Sequence, residues 1–266
     1  MQVDELFNFL PKEMEFWGIP GFSYGVVRDG EVIARGGYGY RNIERKLPAT
    51  PETLYGIASC SKSFTSCLLA ILVDEGLLDF DVPIRHYIPE FALYDPVATE
   101  QVTLRDMLTH RTGLAGHDGM WPNPSIDRHE FMMRLRYLKP NASFRSVTQY
   151  SNTIYSFLGH VAEVVTGETW ENLIRERIFK PLNMDSSLLS AHEMYQQPNH
   201  AQGYWNWEDG RGLVPVEPWE MDVAAPACGV VSNIDDMLKW ITMHINKGEY
   251  DGKRIVSEKN MNEMHS

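Results

Sequence analysis

Cysteine is scarce: Cys60, Cys67 and Cys228 are the only three in a chain of 266 residues. So small and odd a number excludes a disulfide-stapled scaffold, and with no CxxC or His/Cys ligand spacing no structural zinc is expected. Cys60 and Cys67 fall in one predicted helix, ~10.5 Å apart along its axis and too far for a disulfide. A reducing compartment fits. Basic residues are in deficit too, 24 Lys+Arg against 36 Asp+Glu, for a net charge of −12. A surface that tracks nucleic-acid phosphates or anionic lipid needs the opposite balance, so neither partner is expected. Long apolar runs are missing as well. The longest, Cys67 to Val73, is far short of the ~20 residues that cross a bilayer. The opening MQVDELFNFLPKEMEFW carries acids where a secretory leader carries basic residues, and no small-residue cleavage site. The expected location is the cytoplasm, unless a leader has been removed. No repeat, low-complexity tract or Pro/Gly/Ser linker divides the chain. A chain this size buries roughly 73% of its unfolded surface, enough for a core without staples, and one domain over 1–266 is the expectation.

What is present reads mostly as periodicity. Gly21 to Tyr40 alternates apolar and polar residues on both sides of Asp29-Gly30, which predicts a β-hairpin with a type I′ turn. From Ser59 to Glu75, Phe64, Cys67, Leu68, Ile71 and Leu72 recur at three- and four-residue spacing, and Gly76 offers a left-handed stop. That predicts a buried central helix beginning at Ser59. Thr103 is placed to cap a helix over TLRDMLTH, with Asp106 closing a capping box and Gly113 as its expected end. Trp121 to Ser125 reads as a loop. Ile154, Phe157, Leu158, Val161, Val164 and Val165 mark an amphipathic helix stopped by Gly167, and Trp170 to Phe179 and Ile234 to Ile245 predict two more. Ser190 to Pro218 is polar and aromatic, expected as surface loop with at most one short hairpin. Strands begin the chain and helices fill its middle.

Ser59-Cys60-Ser61-Lys62 is an S-x-x-K tetrad on the first turn of the central helix. Residues i and i+3 share a helix face, so the Lys62 ammonium can reach the Ser59 hydroxyl. The positive end of the helix dipole favours a serine oxygen gaining negative character, and its N–H groups can serve an oxyanion. The plain alternative is that Ser59 is an N-cap and Lys62 a solvated first-turn residue. Tyr150-Ser151-Asn152 opens a later helix, where a tyrosine can exchange a proton with serine and an asparagine can contact a substrate amide. The same spacing recurs at Tyr40-Arg41-Asn42 and Tyr204-Trp205-Asn206, but only Tyr150 stands at a loop-to-helix junction after the tetrad. A Ser-His-Asp triad through His110 and Asp106 is a weaker arrangement, since no G-x-S-x-G elbow surrounds Ser59. His160 reads as a satisfied core histidine and Cys60 as packing. Trp205, Trp207 and Trp219 form either a substrate wall or a cover for the core.

Four blocks in order, GIASCSKSFTS, EGLLDFDVPIRHYIPEF, LRDMLTHRTGLAG and QYSNTIYSFLGHVAEVVTG, resemble the serine β-lactamase/penicillin-binding hydrolase family. The likeness is to its class C branch, which includes D-aminopeptidases, D-Ala-D-Ala carboxypeptidases and esterases, and it runs from about Gly18 to the last residue. The resemblance implies an α/β, β-lactamase/transpeptidase-like fold. An antiparallel sheet with flanking helices would take 1–58 and 190–266, a mainly helical lobe 77–189, and the central helix 59–76 would lie between. It implies acylation of Ser59, proton transfer assisted by Lys62, Tyr150 as general base and acid, and Asn152 as a substrate contact, with no cofactor and no metal. Whether Lys62 or Tyr150 is the base stays open. The substrates implied are small amides or esters: D-amino-acid peptides, β-lactams or short acyl esters. One departure stands out. The family's third motif, K-T-G or H-x-G after Tyr150, does not occur, and His117-Asp118-Gly119 comes too early. The later strands of the sheet are therefore expected to be missing, or supplied by a second polypeptide; a homo-oligomer is the other partner expected. A slow-turnover penicillin-binding protein and a non-catalytic scaffold pairing through a sheet edge are the competing readings.

Overall fold

The structure is a computed structural model that describes residues 3–119, 126–207, 212–218 and 222–266. Trp219 and the segment 121–125 lie outside the described residues. Helix α1 (Val3–Phe16) leads into β1 (Gly21–Arg28) and β2 (Glu31–Asn42), antiparallel from Gly21 opposite Gly39 to Arg28 opposite Glu31. Asp29 and Gly30 have φ of 53° and 82°, the left-handed pair that a type I′ turn needs. A short β3 (Leu47–Pro48) completes the order β1-β2-β3. Phe7 from α1 meets Tyr24 edge-on, and Tyr24 stacks on Tyr38 across the hairpin, so aromatic contacts join helix to sheet.

After β4 (Tyr55–Gly56) comes a 3₁₀ turn, Ala58–Cys60, and then α2 (Ser61–Asp74). The central helix thus starts two residues later than the periodicity predicts. The reason lies at Val230: it accepts from Ile57 N at 3.0 Å, and its own N–H donates to Ser61 Oγ at 3.0 Å. One backbone position ties both ends of the turn, so the chain reverses sharply and Ala58 takes φ 47°. Helix α2 is buried almost all round, with Phe64, Cys67, Leu68, Leu69, Ala70 and Leu72 fully enclosed. Each such large side chain is worth about 1.5–3 kcal/mol of transfer free energy.

Helix α3 (Pro96–Gln101) is capped by Asp95, and α4 (Leu104–Leu108) by Thr103 with both bonds of the predicted box in place. Helix α4 ends before Gly113. His110 turns left-handed at φ 58°, and Arg111 N reaches back to Asp106 O at 2.7 Å, which stops the helix early. Next come α5 (Arg128–Arg134) and α6 (Asn152–Thr166), the latter capped by Ser151 and ended by Gly167 at φ 75° as expected. Helix α7 (Trp170–Ile174) widens into a π turn over Arg175–Phe179.

The stretch expected as loop holds α8 (Ala191–Tyr195), capped by Ser190, and the hairpin β5 (Tyr204–Trp207) with β6 (Gly212–Pro215). Then follow α9 (Ala225–Cys228), β7 (Val231–Ser232), which pairs with β4, and α10 (Ile234–Ile245). The chain closes with β8 (Glu249–Tyr250), β9 (Lys253–Arg254) and α11 (Glu258–Met264). The core is knit by rings: Phe64 stacks on Trp240 with centroids 3.9 Å apart, joining α2 to α10, and Phe91 stacks on Phe157 at 4.9 Å. Trp170 Nε1 donates to Thr65 Oγ1 at 3.1 Å, and Thr65 Oγ1 donates to Pro226 O at 2.7 Å, tying α7, α2 and α9 into one unit. The expected mixture of antiparallel strands and helices is therefore the architecture observed.

Candidate active site

The 3₁₀ turn carries Ser59 and the first turn of α2 carries Lys62, so the tetrad converges as its spacing requires. Lys62 is 7% exposed. Its Nζ donates to Ser59 Oγ at 3.1 Å, to Asn152 Oδ1 at 2.7 Å and to Ala227 O at 2.9 Å. Three acceptors match the three N–H bonds of an ammonium. Two ring faces add to them, Tyr150 at 4.7 Å and Tyr155 at 5.5 Å from Nζ, within cation–π range. Ser59 makes no capping bond, so the plain N-cap reading does not hold for it.

Tyr150 donates its hydroxyl to Ser59 Oγ at 2.6 Å. Its position follows from lacing between the segments on either side of the 112–144 excursion. Arg145 N donates to Arg111 O at 2.9 Å, Gln149 N to His110 O at 2.8 Å, and Ser151 N to His110 Nδ1 at 3.2 Å. Ser151 and Thr153, at the start of α6, then hold the next loop: their hydroxyls donate to Ala115 O at 3.2 Å and Gly116 O at 2.6 Å. The other two Tyr-x-Asn copies are occupied elsewhere. Asn42 Oδ1 accepts from Arg45 N, and Tyr204 donates to Glu44.

His110 is beside the cluster without forming a triad. Burial and the nearby Lys62 push its imidazole down to about 4, so it is neutral and accepts through Nδ1. Asp106 is committed to Arg145, whose Nε and Nη2 reach it at 2.8 Å each, and to Thr103. Burial raises the Asp106 carboxyl, but those bonds more than reverse it, leaving it below its ordinary value. His160 is only half satisfied: Nδ1 meets Glu163 at 3.2 Å, and Nε2 is buried without a partner. Cys60 is exposed rather than packed, whereas Cys67 is enclosed and its thiol pushed up to about 12 by burial. Trp205 and Trp207 stand exposed with rings 6.2 Å apart.

Two participants escape a reading of the sequence. The Ala227 carbonyl is a backbone group, which no side-chain motif announces. Asp118 accepts from Asn152 Nδ2 at 3.0 Å, although its tripeptide comes before Tyr150 in the chain and carries no signal of its own. Asn152 is therefore oriented from both ends, oxygen to the lysine and nitrogen to a carboxylate. Among the described residues no His, Cys, Asp or Glu group is arranged to hold a metal ion, and no helix is long and apolar enough to cross a membrane.

Comparison with solved structures gives matches over nearly the whole chain. The octameric penicillin-binding protein homologue from Pyrococcus abyssi is 32% identical with a TM-score of 0.86, covering 100% of this chain and 60% of that one. The class C beta lactamase from Rhodobacter sphaeroides is 25% identical, TM-score 0.77, covering 95% and 68%. D-amino acid amidase from Ochrobactrum anthropi SV3 is 27% identical, TM-score 0.78, covering 94% and 70%. The chain spans about half the length of the curated relatives it matches, hydrolases of two Aspergillus species among them. The Beta-lactamase family model aligns with residues 11–265, all but the two ends, and the chain belongs to that family.

Proposed function

We propose that the protein is a serine hydrolase that forms a covalent Ser59 ester with small amides or esters and then hydrolyses it. The observation that carries this is the convergence of two proton-bearing groups on one hydroxyl: Tyr150 OH at 2.6 Å and Lys62 Nζ at 3.1 Å from Ser59 Oγ. Ser59 Oγ attacks the substrate carbonyl as its proton passes to Tyr150, whose own hydroxyl proton, donated to Ser59 Oγ at rest, has first gone to solvent. The same proton passes to the departing amine or alkoxide. Water then attacks the ester, giving a proton to Tyr150, which passes it to Ser59 Oγ as the acyl–oxygen bond breaks and the acid leaves, so that Ser59 regains its hydroxyl. Lys62, with all three N–H bonds engaged, serves as the fixed positive charge beside the proton transfer and the developing oxyanion. Asn152 contacts the substrate through its amide nitrogen. Ala58 supports the assignment, since a left-handed non-glycine residue costs about 1–2 kcal/mol and here re-aims the neighbouring Ser59.

The amidase and lactamase neighbours support amides and lactams as the substrate class. With this reading goes a sheet lobe (1–58 and 190–266) facing a helical lobe (77–189), the site lying between them. Three free cysteines support a reducing, cytoplasmic setting, and the octameric neighbour supports self-association.

The test is incubation with a fluorophosphonate and a fluorescent penicillin, with Ser59→Ala as control, following label capture and release. Capture on Ser59 with rapid release is the expected result. A persistent Ser59 adduct would make the protein a slow acylator, and no adduct would leave a non-catalytic scaffold.

A further inference from the structure

We propose that a pocket lined by α2, α4, α6 and α11, beside the catalytic cluster but separate from it, binds a small primary amine in its ammonium form. The inference does not depend on the hydrolase reading. The pocket meets α2 at Ser66, one helical turn past Lys62. It also shares Tyr155 with the cluster, since that ring stands 5.5 Å from Lys62 Nζ while the residue lines the pocket. The volume is about 180 Å³. An apolar cavity of ~150 Å³ takes benzene, so an occupant of roughly five or six heavy atoms fits. Thr109 and Ser266 are exposed at its rim, so a ligand can enter.

The polar wall has acceptors to spare. Ser66 Oγ donates to Lys62 O at 2.9 Å and Tyr155 OH to Leu108 O at 3.1 Å, which leaves neither hydroxyl a proton for the 3.2 Å contact between them. A donor arriving from the pocket can bond to both oxygens. Thr109 Oγ1 likewise spends its proton on Arg105 O at 2.7 Å. Glu263 accepts through Oε2 from Arg105 Nη1 at 2.7 Å, and among the described residues its Oε1 has no partner. The same guanidinium holds Asp81 through Nε at 2.7 Å and Nη2 at 3.0 Å, so one cation serves two carboxylates and a negative charge is left over. Arg145 does not cancel it, being paired with Asp106. Such a wall selects a positively charged donor: an ammonium brings three N–H bonds, an alcohol one O–H without charge, and a carboxylate no donor at all. Phe80, Leu108 and Met264 complete the lining and give the carbon body apolar contacts that an inorganic cation cannot use.

The experiment is an NMR titration of the isotope-labelled chain near neutral pH with n-butylammonium chloride, set against n-butanol, sodium butyrate and potassium chloride. The backbone amides of Ser66, Leu108 and Thr109 should shift saturably with butylammonium. Its Kd should lie about tenfold or more below that of butanol, the factor that one charge-assisted hydrogen bond supplies. Butyrate and potassium chloride should leave those amides where they are. Glu263→Gln keeps an acceptor for Arg105 while removing the charge, and should bring butylammonium close to butanol. Tyr155→Phe, an independent change on the opposite helix, should weaken butylammonium several-fold, and the spectrum of each variant shows that it is folded. Butanol binding as tightly as butylammonium, or a Kd untouched by Glu263→Gln, overturns the assignment. So does a titration in which the amides around Ser59 and Asn152 shift and those of the pocket do not, which would put the amine in the catalytic cluster instead.

Discussion

The hydroxyl of Tyr150 is 2.6 Å from Ser59 Oγ across ninety-one positions of chain, one hydrogen bond linking the turn before α2 to the turn before α6. Each residue sits just outside its helix, and there the two side chains meet. If Tyr150 moves the serine proton, Tyr150→Phe removes that path while keeping the ring against Lys62 and His110. Acylation of Ser59 should slow by about 10²–10⁴-fold, the span a general base contributes. Stopped-flow labelling by a fluorophosphonate measures it, and an unchanged rate would assign the proton transfer elsewhere.

Gly159 lies on α6 where α9 crosses it. A Cβ at this position would stand 2.2 Å from Pro226 Cγ and 2.8 Å from Pro226 Cβ, on a rigid ring that cannot fold away. The next residue, Ala227, supplies the carbonyl that accepts from Lys62. Gly159→Ala should therefore push α9 off, with an overpacking cost of about 1–3 kcal/mol, and loosen the lysine as well. Urea denaturation should give a lower midpoint and Ser59 labelling a reduced rate. A variant matching the wild type in both would mean that α9 does not hold the lysine.

Which features the sequence discloses, and which it does not, follows from the range of the interaction concerned. The helix over Ile234–Ile245 appears with the bounds its periodicity predicts, because Asn233 caps it locally and its apolar stripe meets β1. The Asp29-Gly30 turn and the Thr103/Asp106 box are likewise settled within a few residues. The start of α2 is not local. It depends on Val230, distant in sequence, bonding to both sides of the turn. The end of α4 is set by His110, a left-handed residue with no glycine to announce it. The site divides in the same way. Ser59, Lys62, Tyr150 and Asn152 carry side-chain chemistry at readable spacing, while Asp118 joins them only because Ser151 and Thr153 draw its loop onto α6.

Asp106 is a structural carboxylate on which the setting of Tyr150 depends. It caps α4 through Thr103 and holds both Nε and Nη2 of Arg145, while Arg145 N and Gln149 N bond the adjoining segment. Asp106→Asn keeps the volume but can accept only through one oxygen. Losing a cap (~1 kcal/mol) together with a charge-assisted bond (~1.5–3 kcal/mol), discounted because Arg145 is partly solvated, should cost roughly 2–3 kcal/mol. Chemical denaturation reads the loss directly. Labelling of Ser59 should slow in the same variant, and a full rate would show that Tyr150 keeps its place without this anchor.

Acid should weaken the fold through two buried histidines. Burial pushes His110 from 6.5 down to about 4, with Lys62 adding to the effect, and pushes His244 to about 4, with His265 adding to it. Both are neutral in the folded chain and take up a proton more readily once unfolded. Between about pH 6.5 and 4 the unfolded state therefore binds more protons, so stability rises with pH in that window and is lost as pH falls through it. His110→Asn tolerates the left-handed backbone and keeps an acceptor for Ser151 N, but has no proton to gain. Its denaturation midpoint should fall less steeply than the wild type's from pH 6.5 toward 4, with the remaining slope left to His244. Parallel slopes would show that His110 is protonated as easily inside the fold as outside it. In that case the bond from Ser151 N to the imidazole lone pair would not favour the neutral ring, and the turn carrying Tyr150 would owe its setting to the backbone bonds to Arg111 and His110 instead.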